Sequence, residues 1–286
     1  MKIGLVLEGG AMRGVFTAGI LNVFLENGLE FDSCHAVSAG SCLACSFLSR
    51  QIGRGYAVMT DYLDNKEYCS VSSLLRTGDL FGADFLYHKI PEQLYPIDNA
   101  TFLQGKTTFY SVATNCESGR AEYLKVEDLI RDVDAVRASA SLPLVSRIVD
   151  WKGKPYLDGG IADPIPVEQA FRDGCDRVVV ILTRHRAFRK SKEKTALLMG
   201  LKYRKYPHLV STLKERHRIY NDTLARLSVY ESDGRALVLA PTEPLEIRRT
   251  EKDRVLLRDG YEQGRALALS HIGELRDFIS GERGVN

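Results

Sequence analysis

Short runs of consecutive apolar residues alternate along this chain with stretches whose apolar positions recur every three or four residues. That is the pattern of buried strands interleaved with amphipathic helices. Residues 3–7 (IGLVL) and 177–183 (RVVVILT) read as interior strands, and residues 15–27 as a helix with Ala18, Leu21, Phe24 and Leu25 on its apolar side. Residues 31–48, FDSCHAVSAGSCLACSFL, divide in two. Residues 31–37 form a short buried strand, and Leu43, Ala44, Phe47 and Leu48 recur at helical spacing, with Ser41 placed to cap that helix. Further strands are expected at 108–115, 121–124, 145–149 and 235–240, and helices at 128–140, at 166–173 and, as one closing helix, at 251–279. Residues 51–104 give only helical turns and scattered aromatics. With no internal repeat, low-complexity tract or linker, the expectation is one α/β domain over 1–286.

Two strand-to-helix junctions carry candidate chemistry. In the first, Ser38 lies between strand and helix, with Ala36 and Gly40 two residues to either side. A serine on such a turn adopts a strained backbone, so its neighbours must be small, and the pattern G-x-S-x-G is met here as A-V-S-A-G. The turn places Ser38 at the positive end of the following helix, which favours developing negative charge. An ordinary junction rich in small residues reads the same way. The second junction, Glu8-Gly9-Gly10-Ala11-Met12-Arg13-Gly14, follows the first strand. Its backbone N–H groups are little shielded and can bind a negative oxygen. As a dinucleotide fingerprint it fails, since G-x-G-x-x-G needs glycine at position 11. As an oxyanion hole it would offer the amides of Gly10 and Ala11 to an intermediate formed at Ser38, one such donor contributing about 10²–10³ in rate.

A third stretch, Tyr156-Leu157-Asp158-Gly159-Gly160, ends a strand on a glycine turn. Strand ends on one edge of an open α/β sheet converge on a common crevice, which puts Asp158 within reach of Ser38. Asp163 reads as a cap or turn residue. His35, just before the elbow, reads as a packed strand residue.

Composition narrows the classes. A net charge of +2 gives no global field for nucleic acid. The six cysteines have no framework spacing, and Cys42 and Cys45 form C-x-x-C inside a helix with no second pair, so they read as reduced, buried residues. There is no signal-peptide pattern at the start and no apolar run of about 20 residues, which points to a cytoplasmic protein with membrane-surface docking left open. A basic helical region at about 184–228 carries thirteen Lys and Arg against three acids between 184 and 226. It could face an anionic membrane or be a solvated helical surface.

EGGAMRG after the first strand, AVSAG at the elbow and LDGG beginning at Leu157 stand in a fixed order that resembles the bacterial branch of the patatin-like phospholipase family. That family has a G-G-G-x-R-G loop, a G-x-S-x-G serine and a D-G-[GA] aspartate; the run Ala138-Ser139-Ala140-Ser141-Leu142-Pro143 is similar to it as well. The resemblance covers residues 2–183 strongly and the basic remainder loosely. It implies a three-layer α/β/α fold with a mostly parallel central sheet. It also implies a serine acyl hydrolase of lipid esters with no cofactor or metal, in which Ser38 is nucleophile, Asp158 its base, the backbone of Gly9, Gly10 and Ala11 the oxyanion hole, and Arg13 a supporting residue. Ala11 and Ala36 stand where the family has glycines. Two further enzyme readings stay open. One is a Ser-Asp-His hydrolase drawing on His185, His208, His217 or His271, and the other an acyl-carrier transferase. A non-catalytic membrane-associated or regulatory protein of the same fold is the remaining alternative.

Overall fold

The structure, a computed structural model, describes residues 1–192 and 195–281. Its strands are β1 (Ile3–Leu7), β2 (Ser33–Val37), β3 (Thr108–Asn115), β4 (Ala121–Val126), β5 (Val149–Trp151), β6 (Lys154–Asp158), β7 (Arg177–Ile181) and β8 (Ala236–Leu239). The helices are α1 (Gly14–Glu26), α2 (Ala39–Leu48), α3 (Arg54–Thr60), α4 (Val71–Thr77), α5 (Asn99–Gln104), α6 (Val133–Ser139), α7 (Val167–Arg172), α8 (Ala196–Lys202), α9 (Pro207–Ser232), α10 (Arg254–Ser270) and α11 (Ile272–Ser280).

All eight strands join one sheet in the order β5-β6-β3-β2-β1-β7-β8, with β4 paired to β3 outside that path. The central pairs β3-β2, β2-β1, β1-β7 and β7-β8 are parallel, and β4, β5 and β6 add an antiparallel edge. Side chains alternate between two apolar layers, as the period-2 geometry of strands requires. Leu5, Leu7, Val179, Ile181, Leu237 and Leu239 pack with α1, α2 and α10 on one face. Val6, Val178, Val180, Ala236 and Val238 pack with α7 and α9 on the other. The result is the three-layer α/β/α arrangement with a mostly parallel sheet.

Helices α1 and α10 cross with almost no side-chain separation. A Cβ at Gly19 would overlap the backbone of Tyr261, and one at Gly264 the backbone of Phe16. The end of the chain is thereby fastened to its beginning, with Asn22 Nδ2 donating to Tyr261 Oη at 2.7 Å.

Several elements differ from the sequence reading. The helix expected from Asp128 begins only at Val133, because two carboxylates capture the preceding amides. Asp128 Oδ1 accepts from Ile130 and Arg131, and Asp132 Oδ2 from Glu127 and Asp128. The strand expected at 145–149 starts at Val149, and the closing helix breaks at His271 into α10 and α11. Helix α2 starts at Ala39, two residues before the expected cap, so Ser38 itself is the N-cap residue. In the basic stretch, Glu193 and Lys194 lie outside the described residues. No helix among the described residues is long and apolar enough to cross a membrane.

Candidate active site

Strand pairing creates the site. Val112 of β3 pairs with Val37 of β2 on one edge and Tyr123 of β4 on the other. One residue on, Ala113 pairs with Asp158 of β6 and Glu122 of β4. Since β4 occupies one edge at both positions, β2 and β6 must share the other, lying end to end along β3. The last residue of β2, Val37, and the last of β6, Asp158, therefore meet at adjacent rungs, and Ser38 follows Val37. The 120 residues between Ser38 and Asp158 are spanned by two strands running toward each other on one template.

The turn at Ser38 has φ +56° and ψ −126°, a backbone state that side chains rarely adopt. Its amide donates to Ser139 Oγ at 2.8 Å, and its carbonyl accepts from Ser41 and Cys42 to open α2. Small neighbours make the turn possible. A Cβ on Gly40 would lie 2.9 Å from Leu7 Cβ, and one on Gly9 2.7 Å from Ser38 Cβ. Ala36 needs no such freedom. It is an ordinary, fully buried β2 residue with no positive φ, so its methyl simply fills core.

Asp158 is 2% exposed. Its amide donates to Ser141 O at 2.8 Å, its carbonyl accepts from Thr114 Oγ1 at 2.9 Å, and its Oδ1 accepts from Gly160 N at 2.8 Å. Oδ2 is buried with no hydrogen-bond partner. Burial raises its pKa, opposed by the Arg216 guanidinium, the Ser38 hydroxyl, the Gly160 N–H and Arg249. The two side chains thus interact without completing a hydrogen bond of standard geometry, as in many substrate-free sites. Gly159 is required because a Cβ there would overlap Val112 O.

The glycine loop leaves β1 and enters a single 3₁₀ turn, Ala11–Arg13. The amides of Gly9, Gly10 and Ala11 make no hydrogen bond to the rest of the protein among the described residues, and all three residues line the cavity that holds Ser38 and Asp158. Ala11 has φ +49°, a conformation costing alanine about 1 kcal/mol relative to glycine. Arg13 is buried with Nε unpartnered, and burial together with nearby Arg184 lowers its pKa to about 10.

Glu8, given no role by the sequence reading, anchors this loop. It accepts from Thr183 N at 2.6 Å and from Tyr220 Oη at 2.8 Å, and burial raises its pKa. The Thr183 hydroxyl also lies 3.0 Å from Gly9 O. An acidic residue directly before two glycines was the only sequence signal for it.

Two cavities meet at Ser38, sharing Ala11, Ser38 and Leu142 in their walls. One, of about 110 Å³, is apolar and lined by residues such as Met12, Leu43, Met59, Phe81 and Leu86. The other, of about 60 Å³, is polar and holds Asp158, the glycine loop, Arg13, Lys190, Arg216 and Arg249. No histidine lines either. His35 is buried on β2 with Nε2 2.8 Å from Asp173, and His185 and His271 line a separate cavity. Asp163 accepts from Tyr123 Oη at 2.7 Å and lines neither cavity at Ser38; burial raises its pKa to about 6. All six cysteines are unpaired, and burial pushes the Cys42 thiol up to about 11.

The profile of patatin-like phospholipases matches residues 5–171, more than half of the chain. This chain belongs to the patatin-like phospholipase family. A second profile, a domain of unknown function (DUF6363), matches residues 206–280. The chain is 35% identical over 187 residues to the uncharacterized protein YjjU of Escherichia coli, covering 64% of this chain and 52% of that protein. It is 28% identical over 192 residues to lysophospholipase nte1 of Aspergillus niger, covering 63% of this chain and 12% of that one. It is also 23% identical over 188 residues to the probable lipid hydrolase 463L of invertebrate iridescent virus 6, covering 59% and 63%. The match therefore spans about half of YjjU and a small part of the fungal protein.

Within this patatin-like chain the site draws on both matched stretches. Gly9, Gly10, Ala11, Arg13, Ser38, Ser139, Ser141 and Asp158 lie in the first. Arg216, Tyr220 and Arg249 lie in the second. The basic region that the sequence left between a membrane-facing and a solvated role thus sends Lys190 and Arg216 into the cavity beside Asp158, with Arg216 Nε donating to Gly160 O at 2.7 Å.

Proposed function

We propose that this patatin-like chain is a serine acyl hydrolase that cleaves carboxylic esters of lipids through a Ser38–Asp158 dyad and an acyl-enzyme intermediate. The observation that carries the reading is the end-to-end pairing of β2 and β6 on β3, which brings the hydroxyl and the carboxyl to one cavity beside three unused amides. The apolar cavity at Ser38 suits an acyl chain, and the lipid-hydrolase names among the relatives point the same way.

In the first half-reaction Asp158 Oδ2 takes the Ser38 proton as Oγ attacks the ester carbonyl carbon. The developing oxyanion is held by the Gly9, Gly10 and Ala11 amides. Collapse breaks the bond to the leaving alcohol, which receives the proton from Asp158 and departs. Water then gives a proton to Asp158, attacks the acyl carbon, and releases the fatty acid as Ser38 Oγ recovers its proton. The raised pKa of Asp158 makes it a better base than a solvated aspartate. Arg13 supports the loop from below. The shared sheet, continued by β7 and β8 beyond the first matched stretch, favours one folded unit.

Labelling by a serine-reactive alkyl phosphonate tests this reading, run on the native protein and on Ser38→Ala beside hydrolysis of a soluble acyl ester. Labelling and turnover lost together in the variant support it. A native protein that neither labels nor turns over ester supports the non-catalytic alternative.

A further inference from the structure

The polar cavity beside Ser38 holds more positive charge than the proposed dyad requires. Four cationic side chains, Arg13, Lys190, Arg216 and Arg249, line it against two carboxyls, Glu8 and Asp158. Glu8 is engaged by Thr183 and Tyr220 beneath the loop, and Asp158 by Gly160 and Ser38. Arg13 is 7% exposed and its Nε is buried without a partner. Arg216 is oriented by its bond to Gly160 O, and the Lys190 ammonium lies 5.6 Å from the centre of the Tyr220 ring. Arg249 comes from an exposed loop whose backbone carbonyl accepts from Met12 N at 3.4 Å, which ties that loop to the glycine turn.

We propose that this cavity is a subsite for a phosphate-bearing, net-anionic headgroup, so that the substrate is an acidic lipid held with its phosphate among Arg13, Lys190, Arg216 and Arg249. The proposal rests on the hydrolase reading for its orientation. An ester seated at Ser38 would send its acyl chain into the apolar cavity and its alcohol portion into the polar one, since Ala11, Ser38 and Leu142 form the wall between them. Size and sign set the selectivity. A volume of about 60 Å³ is the share of about two water molecules in the liquid, which suits a phosphate and not a bulky headgroup. The surrounding guanidinium and ammonium groups attract a phosphate and repel a quaternary ammonium. Two of the four cations, Arg216 and Arg249, belong to the stretch matching the domain of unknown function, which gives that stretch a role in substrate choice.

The test separates this subsite from the catalytic reading by measuring binding and turnover apart. In the Ser38→Ala protein, calorimetric titration compares monomeric dodecyl phosphate, dodecylphosphocholine, a neutral dodecyl glucoside and inorganic phosphate. Dodecyl phosphate should bind at least tenfold more tightly than the other three. Adding Arg249→Gln, or Lys190→Gln as an independent second variant, should cut that preference about tenfold, the scale of one charge-assisted hydrogen bond. In the Ser38-containing protein, the same substitutions should lower the kcat/KM ratio for lysophosphatidylglycerol over lysophosphatidylcholine about tenfold. If the cations only tuned Asp158, both substrates would slow together and the ratio would hold, which overturns the subsite. Equal affinity for phosphocholine and phosphate amphiphiles also overturns it, and equal affinity for inorganic phosphate overturns the lipid origin of the anion. Retained binding preference without turnover of any ester would instead overturn the hydrolase reading and leave the anion subsite standing.

Discussion

Ser139 Oγ accepts the backbone N–H of Ser38 at 2.8 Å, and two residues later the carbonyl of Ser141 accepts the N–H of Asp158 at the same distance. One short segment after α6 thus holds the backbone of both proposed catalytic residues. Ser139 is fully buried, so its removal leaves a buried amide unsatisfied. Ser139→Ala should cost about 1–3 kcal/mol in denaturant unfolding and slow phosphonate labelling of Ser38, while Ser141→Ala, whose carbonyl survives, should do less to labelling.

Asp158 gives opposite effects on activity and stability. Asp158→Asn should lower ester turnover by roughly 10⁴-fold, as loss of a nucleophile's base does elsewhere. Because burial raises its folded pKa, the carboxyl stabilises the fold at acid pH, and that contribution is lost as pH rises through the folded pKa. The variant should therefore have a higher Tm than the native protein near neutral pH, with the difference closing below the ordinary carboxylate range. A lower Tm near neutral pH would contradict the burial argument.

The pH–rate profile follows from the same shift. Asp158 must be ionised to accept the serine proton, so kcat/KM should fall as pH drops through a pKa above the usual aspartate range. With no histidine lining either cavity, each of His185→Ala, His208→Ala, His217→Ala and His271→Ala should keep turnover within about threefold. A His variant as inactive as Asp158→Asn would restore the triad alternative.

The glycine loop makes a paired prediction. Ala11→Gly relieves a positive φ and should leave stability unchanged or raise it by up to about 1 kcal/mol, with its amide still in place. Gly9→Ala drives a Cβ to 2.7 Å from Ser38 Cβ and should abolish labelling. Thermal melts alongside labelling rates distinguish the two.

The α1–α10 crossing carries the last prediction. Gly264→Val forces a side chain into the backbone of Phe16 and should destabilise by about 1–3 kcal/mol or more, far from the chemistry. Equilibrium unfolding measures it.

Ordered local signals made much of this protein readable from its residues. Apolar runs such as IGLVL and RVVVI specify buried strands because a strand flanked by helices on both faces has no polar side. Small residues around Ser38 and the glycines after Asp158 mark turns where a Cβ would collide, so those positions were legible without coordinates. The carboxylates at 128 and 132 defeated the helix expected there, because side-chain capture of amides depends on the exact turn geometry.

What the tertiary structure alone decided was proximity. Nothing local in sequence says that β2 and β6 share one edge of β3, that Glu8 is held by Tyr220 from 212 residues away, or that Arg216 in a basic helix turns toward Gly160. Periodicity reports which face of an element is buried, whereas the residues that meet across the sheet are chosen by strand order and register, which are properties of the whole chain.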